Sequence, residues 1–298
     1  MRHIPVLLQE VIRYLAPSTG EVILDATVNR GGHAQAIAAH LGPTGTLLGL
    51  DLDATAIQAA TEALARVPAR VLLRVSNYRQ LDRVLAELKI STLDGALFDL
   101  GLSSEQLDDS GRGFSFLRDE PLAMSFSATT DAGRLTAHEI VNHWRAESLT
   151  DIIEGYGEER FARRIAEAIV AAREFGPIES SLQLAEIIRA AVPAWYRHGR
   201  IHPATRTFQA LRIATNDELG AVAEGLAKAW NALKPGGRLA VITFHSLEAR
   251  LVKEQFKHWI TAGQAELVTK KAIKPSWTEV RTNPRARSAQ LRVITKLP

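Results

Sequence analysis

Short apolar runs bounded by turn residues alternate with amphipathic stretches over the first hundred residues of the chain. The runs at 21–25 (EVILD), 46–51 (TLLGLD), 70–75 and 94–100 (DGALFDL) predict buried strands. Between them, 34–41, 54–66 and 78–88 carry apolar residues at helical spacing and predict helices. Val67-Pro68 ends the second of these helices, because the residue before proline is pushed out of the helical region. Strand, helix and strand in repeated succession predict a mostly parallel sheet covered by helices on both faces.

After Leu100 the strand pattern stops for more than a hundred residues. A polar loop rich in Gly and Ser runs to about residue 130, and helical periodicity returns at 157–174 and 181–192. A long helix at 216–233, closed by Lys234-Pro235-Gly236-Gly237, then precedes an apolar strand at 238–244 (RLAVITF). Two further strands, near 265–269 and 290–295, suit an antiparallel edge. The expected architecture is a doubly wound α/β sheet interrupted by a mostly helical insert. Its domain order is core at 1–106, insert at 107–205 and core again at 206–298. Ligands of such a sheet bind at the carboxyl ends of its strands.

Composition agrees with this picture and removes some chemistry. The 298 residues are 46% hydrophobic and 23% charged, with a mean hydropathy of −0.04, so wholesale disorder is excluded. There is no Cys, which rules out disulfides, thiolate nucleophiles and Cys-ligated zinc and fits the cytoplasm. The opening stretch lacks the continuous apolar region of a secretory signal, and no run is long enough to span a membrane. The net charge is only +3, but from residue 270 onward Lys270, Lys271, Lys274, Arg281, Arg285, Arg287, Arg292 and Lys296 face a single acid, Glu279. Such a tail suits an anionic partner as well as it suits a solvated basic surface.

Candidate chemistry gathers at the strand ends. Gly31 and Gly32 occupy the first strand-to-helix turn, where missing side chains let backbone N–H groups approach a ligand. Asp51 ends the second strand about 20 residues later, where a carboxylate can accept both hydroxyls of a ribose. Tyr78 follows the third strand and offers a ring to an adenine, and Asp99 closes the fourth. This arrangement suits a nicotinamide dinucleotide or S-adenosylmethionine. The G-x-G-x-x-G fingerprint is absent, which weighs against a dehydrogenase. His3, His33 and His245 lack metal-ligand spacing and no metal is expected, while Ser103, Ser104 and Ser246 lack the turn of a hydrolase nucleophile. Near the end of the insert, Trp195 and Tyr196 lie beside Arg197, His198, Arg200, His202 and Arg206, a mixture suited to phosphate contacts and base stacking.

Longer strings carry a resemblance. They include His3-Ile4-Pro5-Val6-Leu7, Asp25-x-Thr27 with Gly31-Gly32-His33, Asp51-x-Asp53 and 99–108 (DLGLSSEQLD). Further along come 112–116 (RGFSF), 156–160 (YGEER), 202–212 (HPATRTFQALR), 244–248 (FHSLE) and Asn283-Pro284-Arg285-x-Arg287-Ser288. Nearly end to end, the chain resembles the bacterial small-subunit ribosomal RNA (cytosine-N4)-methyltransferases, the MraW family. The resemblance implies a class I S-adenosylmethionine-dependent methyltransferase fold, Rossmann-like, with an inserted substrate-recognition domain. It implies N4-methylation of a cytidine in the decoding region of 16S RNA, and the ribosomal RNA or the 30S subunit as partner.

Carried over by position, the resemblance implies cofactor contacts at Gly31, Gly32, His33, Asp51, Tyr78, Asp99 and Gln106. Asp99, Ser103 and His245 are the candidates for the pocket around the target amine. The chain departs from the family at Asn29, where Gly is usual, and at Ala34, where Ser is usual. Residues 119–127 read DEPLAMSFS against the pattern D-G-P-L-D-M-R-M-D, so Ala123, Ser125 and Ser127 replace two acids and an arginine. Ala249 stands for the Asp of H-S-L-E-D-R. These losses motivate an alternative, a non-catalytic or retargeted relative that binds ribosomal RNA as an assembly factor. A homodimer through the insert is a further expectation without a specific residue pattern.

Overall fold

The apolar runs form strands β1 (Val22–Asp25), β2 (Thr46–Asp51), β3 (Arg70–Val75), β4 (Leu93–Asp99), β5 (Leu233–Thr243), β6 (Ala265–Leu267) and β7 (Gln290–Lys296). In the computed structural model, which describes residues 4–101, 111–126 and 135–298, they join in one sheet of order β3-β2-β1-β4-β5-β7-β6. Strands β1 to β5 are mutually parallel, and β7 runs antiparallel to both β5 and β6. The strand order reverses between β1 and β4, so the carboxyl ends of these two strands flank the crevice that a doubly wound sheet offers a ligand.

Two compact units divide the chain: residues up to Gly101 with Leu219–Pro298, and Leu102–Glu218. In the first, α1 (Leu8–Leu15), α2 (Gly32–Leu41), α3 (Ala54–Leu64) and α4 (Leu81–Leu88) precede or link the parallel strands. Successive strand residues point to opposite faces and feed separate cores. Ile23 and Leu97 join Val11, Ile37 and Val293 on one side, whereas Leu24 and Phe98 join Leu226, Trp230 and Trp259 on the other.

The second unit holds α5 (Ala137–His143), α6 (Ala146–Gly155), α7 (Ala162–Arg173), α8 (Ser181–Ala191), α9 (Ala194–Arg197) and α10 (Ala204–Asn216). Thr136 and Glu139 form a reciprocal capping box at the start of α5, and Ser180 caps α8. Ile140, Leu149, Ile165, Ile188 and Leu211 fill its core. Back in the first unit lie α11 (Glu218–Ala232, its first residue still in the second), α12 (Ser246–Thr261) and α13 (Trp277–Thr282). The rings of Trp230 and Trp259 stack there at 4.4 Å.

Three boundaries differ from the sequence reading. The insert extends beyond residue 205, because Phe208 and Leu211 turn α10 into the helical core. The helix expected at 216–233 begins only after Asp217, whose φ of 46° breaks it from α10. The helix expected at 157–174 starts at Ala162, since Glu158 also adopts a left-handed conformation with φ 49°. No described helix is long and apolar enough to cross a membrane.

Candidate active site

Strands β1, β2 and β4 end on acids, Asp25, Asp51 and Asp99. The turn after β1 is built for close approach: Asn29 has φ 47° and Gly31 has φ 83°, and Gly31 caps α2 without a side chain. A side chain at Gly32 would overlap the Pro5 ring, so glycine lets the amino-terminal segment lie on the turn. Asp51 holds the turn from the neighbouring strand. Its two oxygens accept the N–H groups of Asn29 and Asp53, both at 2.9 Å, and burial raises its pKa. That carboxylate keeps acceptor capacity beyond these bonds.

His33 is buried, with 6% of its side chain exposed, in the first turn of α2. Its Nε2 lies 2.8 Å from the Val6 carbonyl oxygen and donates to it, while Nδ1 lies 3.4 Å from Asp99 Oδ2. Burial lowers the His33 pKa, so the neutral ring is favoured. Asp99 is fixed by its backbone as well, its N–H donating to Thr27 Oγ1 at 2.7 Å, and the Thr27 N–H donates to Asp25 Oδ1 at 3.2 Å. Burial raises both Asp25 and Asp99 to about 7, and the charge of Glu248 adds to the shift of Asp99. Although the Asp99 side chain is 19% exposed, its Oδ1 is buried and accepts no hydrogen bond among the described residues.

His245 precedes α12 and accepts the Glu248 N–H through Nδ1 at 3.4 Å. Glu248 replies with Oε2, accepting the N–H groups of Phe244 at 2.7 Å and His245 at 3.3 Å. His245 therefore sits at the β5 end of the sheet, with its ring 12% exposed and Nε2 3.2 Å from Glu248 Oε1. Tyr78 follows β3 as expected, but its ring packs edge-on against Phe98 at 5.5 Å and lies over Gly225, where any Cβ would overlap it. Ser103 and Gln106 lie outside the described residues.

The departures from the family pattern fall into place without the missing charges. Ala34 is fully buried in α2, and Ala249 sits half-buried in the first turn of α12. In the second unit, the 121–126 segment is held through its backbone: Arg112 donates to the carbonyls of Ser125 and Phe126, and Asn216 binds the Met124 carbonyl and the Phe126 N–H. None of these bonds uses the side chain of Ala123 or Ser125. Ser127 lies outside the described residues.

The aromatic and basic cluster of the second unit is partly structural. Arg197 donates to the carbonyls of Ala190 and Val192 at the end of α8, and Arg206 to that of Glu158. Arg160, which composition did not single out, lies over the rings of Trp195 at 4.7 Å, Phe161 at 5.3 Å and Tyr196 at 5.3 Å. The Tyr196 hydroxyl donates to buried Glu159 at 2.5 Å, and burial with that bond pushes its pKa up to about 12. Trp195 remains 61% exposed above this base.

Sequence reasoning named Asp51, Asp99 and His33 but left Asp25, Thr27, Val6 and Glu248 without roles. Asp25 carried a usable signal, since it ends β1 as Asp99 ends β4. Glu248 was legible as the third residue of a capping box after His245. The role of the Val6 carbonyl had no signal, because a backbone acceptor is independent of residue type.

The family model for the MraW methylase family matches residues 1–297. A ribosomal RNA small subunit methyltransferase H of Symbiobacterium thermophilum is 48% identical over 99% of this chain and 96% of its own length. Its counterparts from Syntrophotalea carbinolica and Geobacter sulfurreducens are 47% and 46% identical, each over 99% of this chain and over 98% and 99% of their own lengths. Among solved structures, an rRNA methylase from Streptococcus thermophilus aligns over 99% of both chains with a TM-score of 0.46 and 11% identity. Together with the observed sheet and its insert, the match along the whole chain makes this protein a member of the MraW methylase family, an S-adenosylmethionine-dependent methyltransferase of class I fold.

Proposed function

We infer that this protein transfers a methyl group from S-adenosylmethionine to the exocyclic N4 of a cytidine in the decoding region of small-subunit (16S) ribosomal RNA, acting in the cytoplasm on the 30S subunit or its precursor. The observation that carries this reading is Asp99 Oδ1, a buried acceptor at the strand reversal with no partner among the described residues. A desolvated acceptor costs roughly 1–3 kcal/mol if left unmade, and an amine N–H would satisfy it.

The site also fits the cofactor. Three acids ending adjacent parallel strands supply negative charge where a sulfonium cation would bind, and Asp51 is oriented by two N–H groups with acceptor capacity left for a ribose. Gly31 and Gly32 keep the turn open, and His33 lies beside Asp99. When bound, the cofactor supplies an electrophilic methyl group on sulfur. An exocyclic cytosine amine is a weak nucleophile because its lone pair is delocalised into the ring, so positioning is the principal task. Asp99 accepts one amine N–H, directs the lone pair and, with a pKa of about 7, can hold the proton that the amine releases. Thr27 fixes Asp99 through its backbone N–H, and the His33 ring packs beside its Oδ2. His245 stands beside the target base, which leaves its stack to enter; Ser103, the other candidate for this pocket, lies outside the described residues. In the second unit, Trp195 over Arg160 offers a stacking surface to RNA.

The non-catalytic alternative is not favoured, because the segment lacking the family charges keeps its backbone ties and the Asp99 acceptor is retained. The test is labelled methyl transfer to 30S subunits lacking the modification, with the product mapped by mass spectrometry. Label on N4 of a decoding-region cytidine, lost in Asp99→Ala, is the expected result. Tight cofactor binding with no transfer to subunits or to their precursors would sink the reading.

A further inference from the structure

We propose that the segment 270–287 is a second RNA-docking platform, carried by the catalytic unit itself, in which Trp277 stacks on an unpaired base and Arg281, Lys270, Lys271, Lys274 and Arg285 meet the flanking phosphates. The proposal deepens the reading above by naming where substrate RNA is held outside the methyl-transfer crevice.

The indole of Trp277 is 75% exposed, with the Arg281 guanidinium 5.5 Å from its ring centroid. An exposed tryptophan forgoes a large burial gain, which makes its position informative. The basic side chains around it are all exposed. The one acid among them, Glu279, is engaged: its Oε1 accepts the Leu7 N–H at 2.7 Å. The surface therefore presents positive charge and a flat ring together, the combination that binds single-stranded nucleic acid.

The platform is built rather than trailing. Ser276 caps α13 by accepting the Glu279 N–H at 3.1 Å, and Asn283 donates to the Ile4 carbonyl at 3.1 Å. Ile273 exchanges both backbone hydrogen bonds with Leu291 of β7, at 2.8 and 2.9 Å. Ordering is thus prepaid, as affinity for a flexible ligand requires. The same ties bear on the active site, because the amino-terminal segment gripped by Glu279 and Asn283 supplies the Val6 carbonyl that holds His33. An anionic membrane is the other surface that basic residues and a tryptophan can meet. However, α13 has only six residues and no apolar stripe, so RNA is the better match.

Two measurements on the full chain test the platform: binding of a fluorescent decoding-region RNA fragment, and the KM for 30S subunits lacking the modification. In Trp277→Ala the Kd for RNA is expected to rise about tenfold or more, the loss of one stacked base, with Trp277→Phe restoring most of it. Arg281→Gln should lower the salt dependence of log K by about 0.7 to 0.9, the share of one phosphate contact. The Kd for S-adenosylmethionine should stay at the wild-type value in both variants, which shows that the fold is intact. If wild-type protein binds RNA but transfers no methyl group, a Kd shift in the variants still supports the platform while the catalytic reading fails. Unchanged RNA affinity and salt slope in both variants would overturn it, as would loss of binding to phosphatidylglycerol vesicles alone.

Discussion

His33 Nδ1 lies 3.4 Å from Asp99 Oδ2 while its Nε2 donates to the Val6 carbonyl, so the imidazole meets the strand-end carboxylate with its acceptor nitrogen. Burial, which penalises the charged form, raises the Asp99 pKa to about 7, and the charge of Glu248 adds to it. Only ionised Asp99 can both accept the amine N–H and take its proton. The expected kcat/KM therefore climbs tenfold per pH unit below about 7 and levels off above it. Asp99→Asn should lose about 10²- to 10⁴-fold in rate together with this limb. Asp25 is also raised to about 7 and feels the charge of Asp99, so the limb belongs to the coupled pair. A limb that survives near 7 in Asp99→Asn would assign the essential titration elsewhere.

The same burial costs stability. A carboxyl group with a folded pKa of about 7 and an ordinary value of 3.8 binds its proton more tightly in the folded protein. Its contribution is fully present below pH 3.8 and is lost as pH rises to 7. His33, whose pKa is lowered, acts in the opposite sense as pH falls through 6.5, so the wild-type curve alone mixes the two. The difference between Asp99→Asn and wild type isolates the carboxyl. Urea unfolding of the ligand-free proteins should show the advantage of Asp99→Asn growing by about 2 kcal/mol between pH 5 and 7, at no more than about 1.36 kcal/mol per unit. An advantage that does not change with pH would show that Asp99 is not protonated in the resting site.

Cofactor charge should be read out in protons. A cation near Asp25 and Asp99, both poised near 7, favours their ionised forms and lowers their pKa values. Calorimetric titrations at pH 7 in buffers of different ionisation enthalpy should show proton release when S-adenosylmethionine binds. The neutral product S-adenosylhomocysteine should release fewer protons. Equal release for both ligands would mean that the strand-end acids do not sense the sulfonium.

Much of this was legible because parallel strands announce themselves as continuous apolar runs whose last residue faces the crevice. Asp51 and Asp99 are legible in that way as acids ending β2 and β4, and the seven strands lie close to their expected positions. The helical unit was harder to read. Its α5 and α6 are short, at seven and ten residues, and share one core with the other helices, so their apolar residues lack a long periodic window. The start of α11 reads two residues early, at 216, since the left-handed Asp217 with φ 46° carries no glycine or proline to mark it. The His33 contact was unreadable in principle, because it joins a side chain to a main-chain carbonyl 27 positions away. Tyr78 lies where the pattern put it, and its contacts with Phe98 and Gly225 were not legible in the sequence.

Asn29 tests how the turn carries an asparagine where the family usually has glycine. Its φ of 47° lies in the left-handed region, where asparagine is tolerated better than other residues with a side chain. Its N–H donates to Asp51 Oδ2 at 2.9 Å, so the strained conformation is what brings the turn and the acid ending β2 together. Asn29→Gly relieves the strain but adds freedom to the unfolded chain, and the two effects should leave stability within about 0.5 kcal/mol of wild type. Asn29→Ala keeps the strain without the asparagine tolerance and should cost about 1 kcal/mol in urea unfolding. If the turn shifts to relieve it, the Asp51 contact goes too, and the Kd for S-adenosylmethionine should rise several-fold in Asn29→Ala but not in Asn29→Gly. Equal affinities in the two variants would show that the turn conformation does not govern cofactor binding.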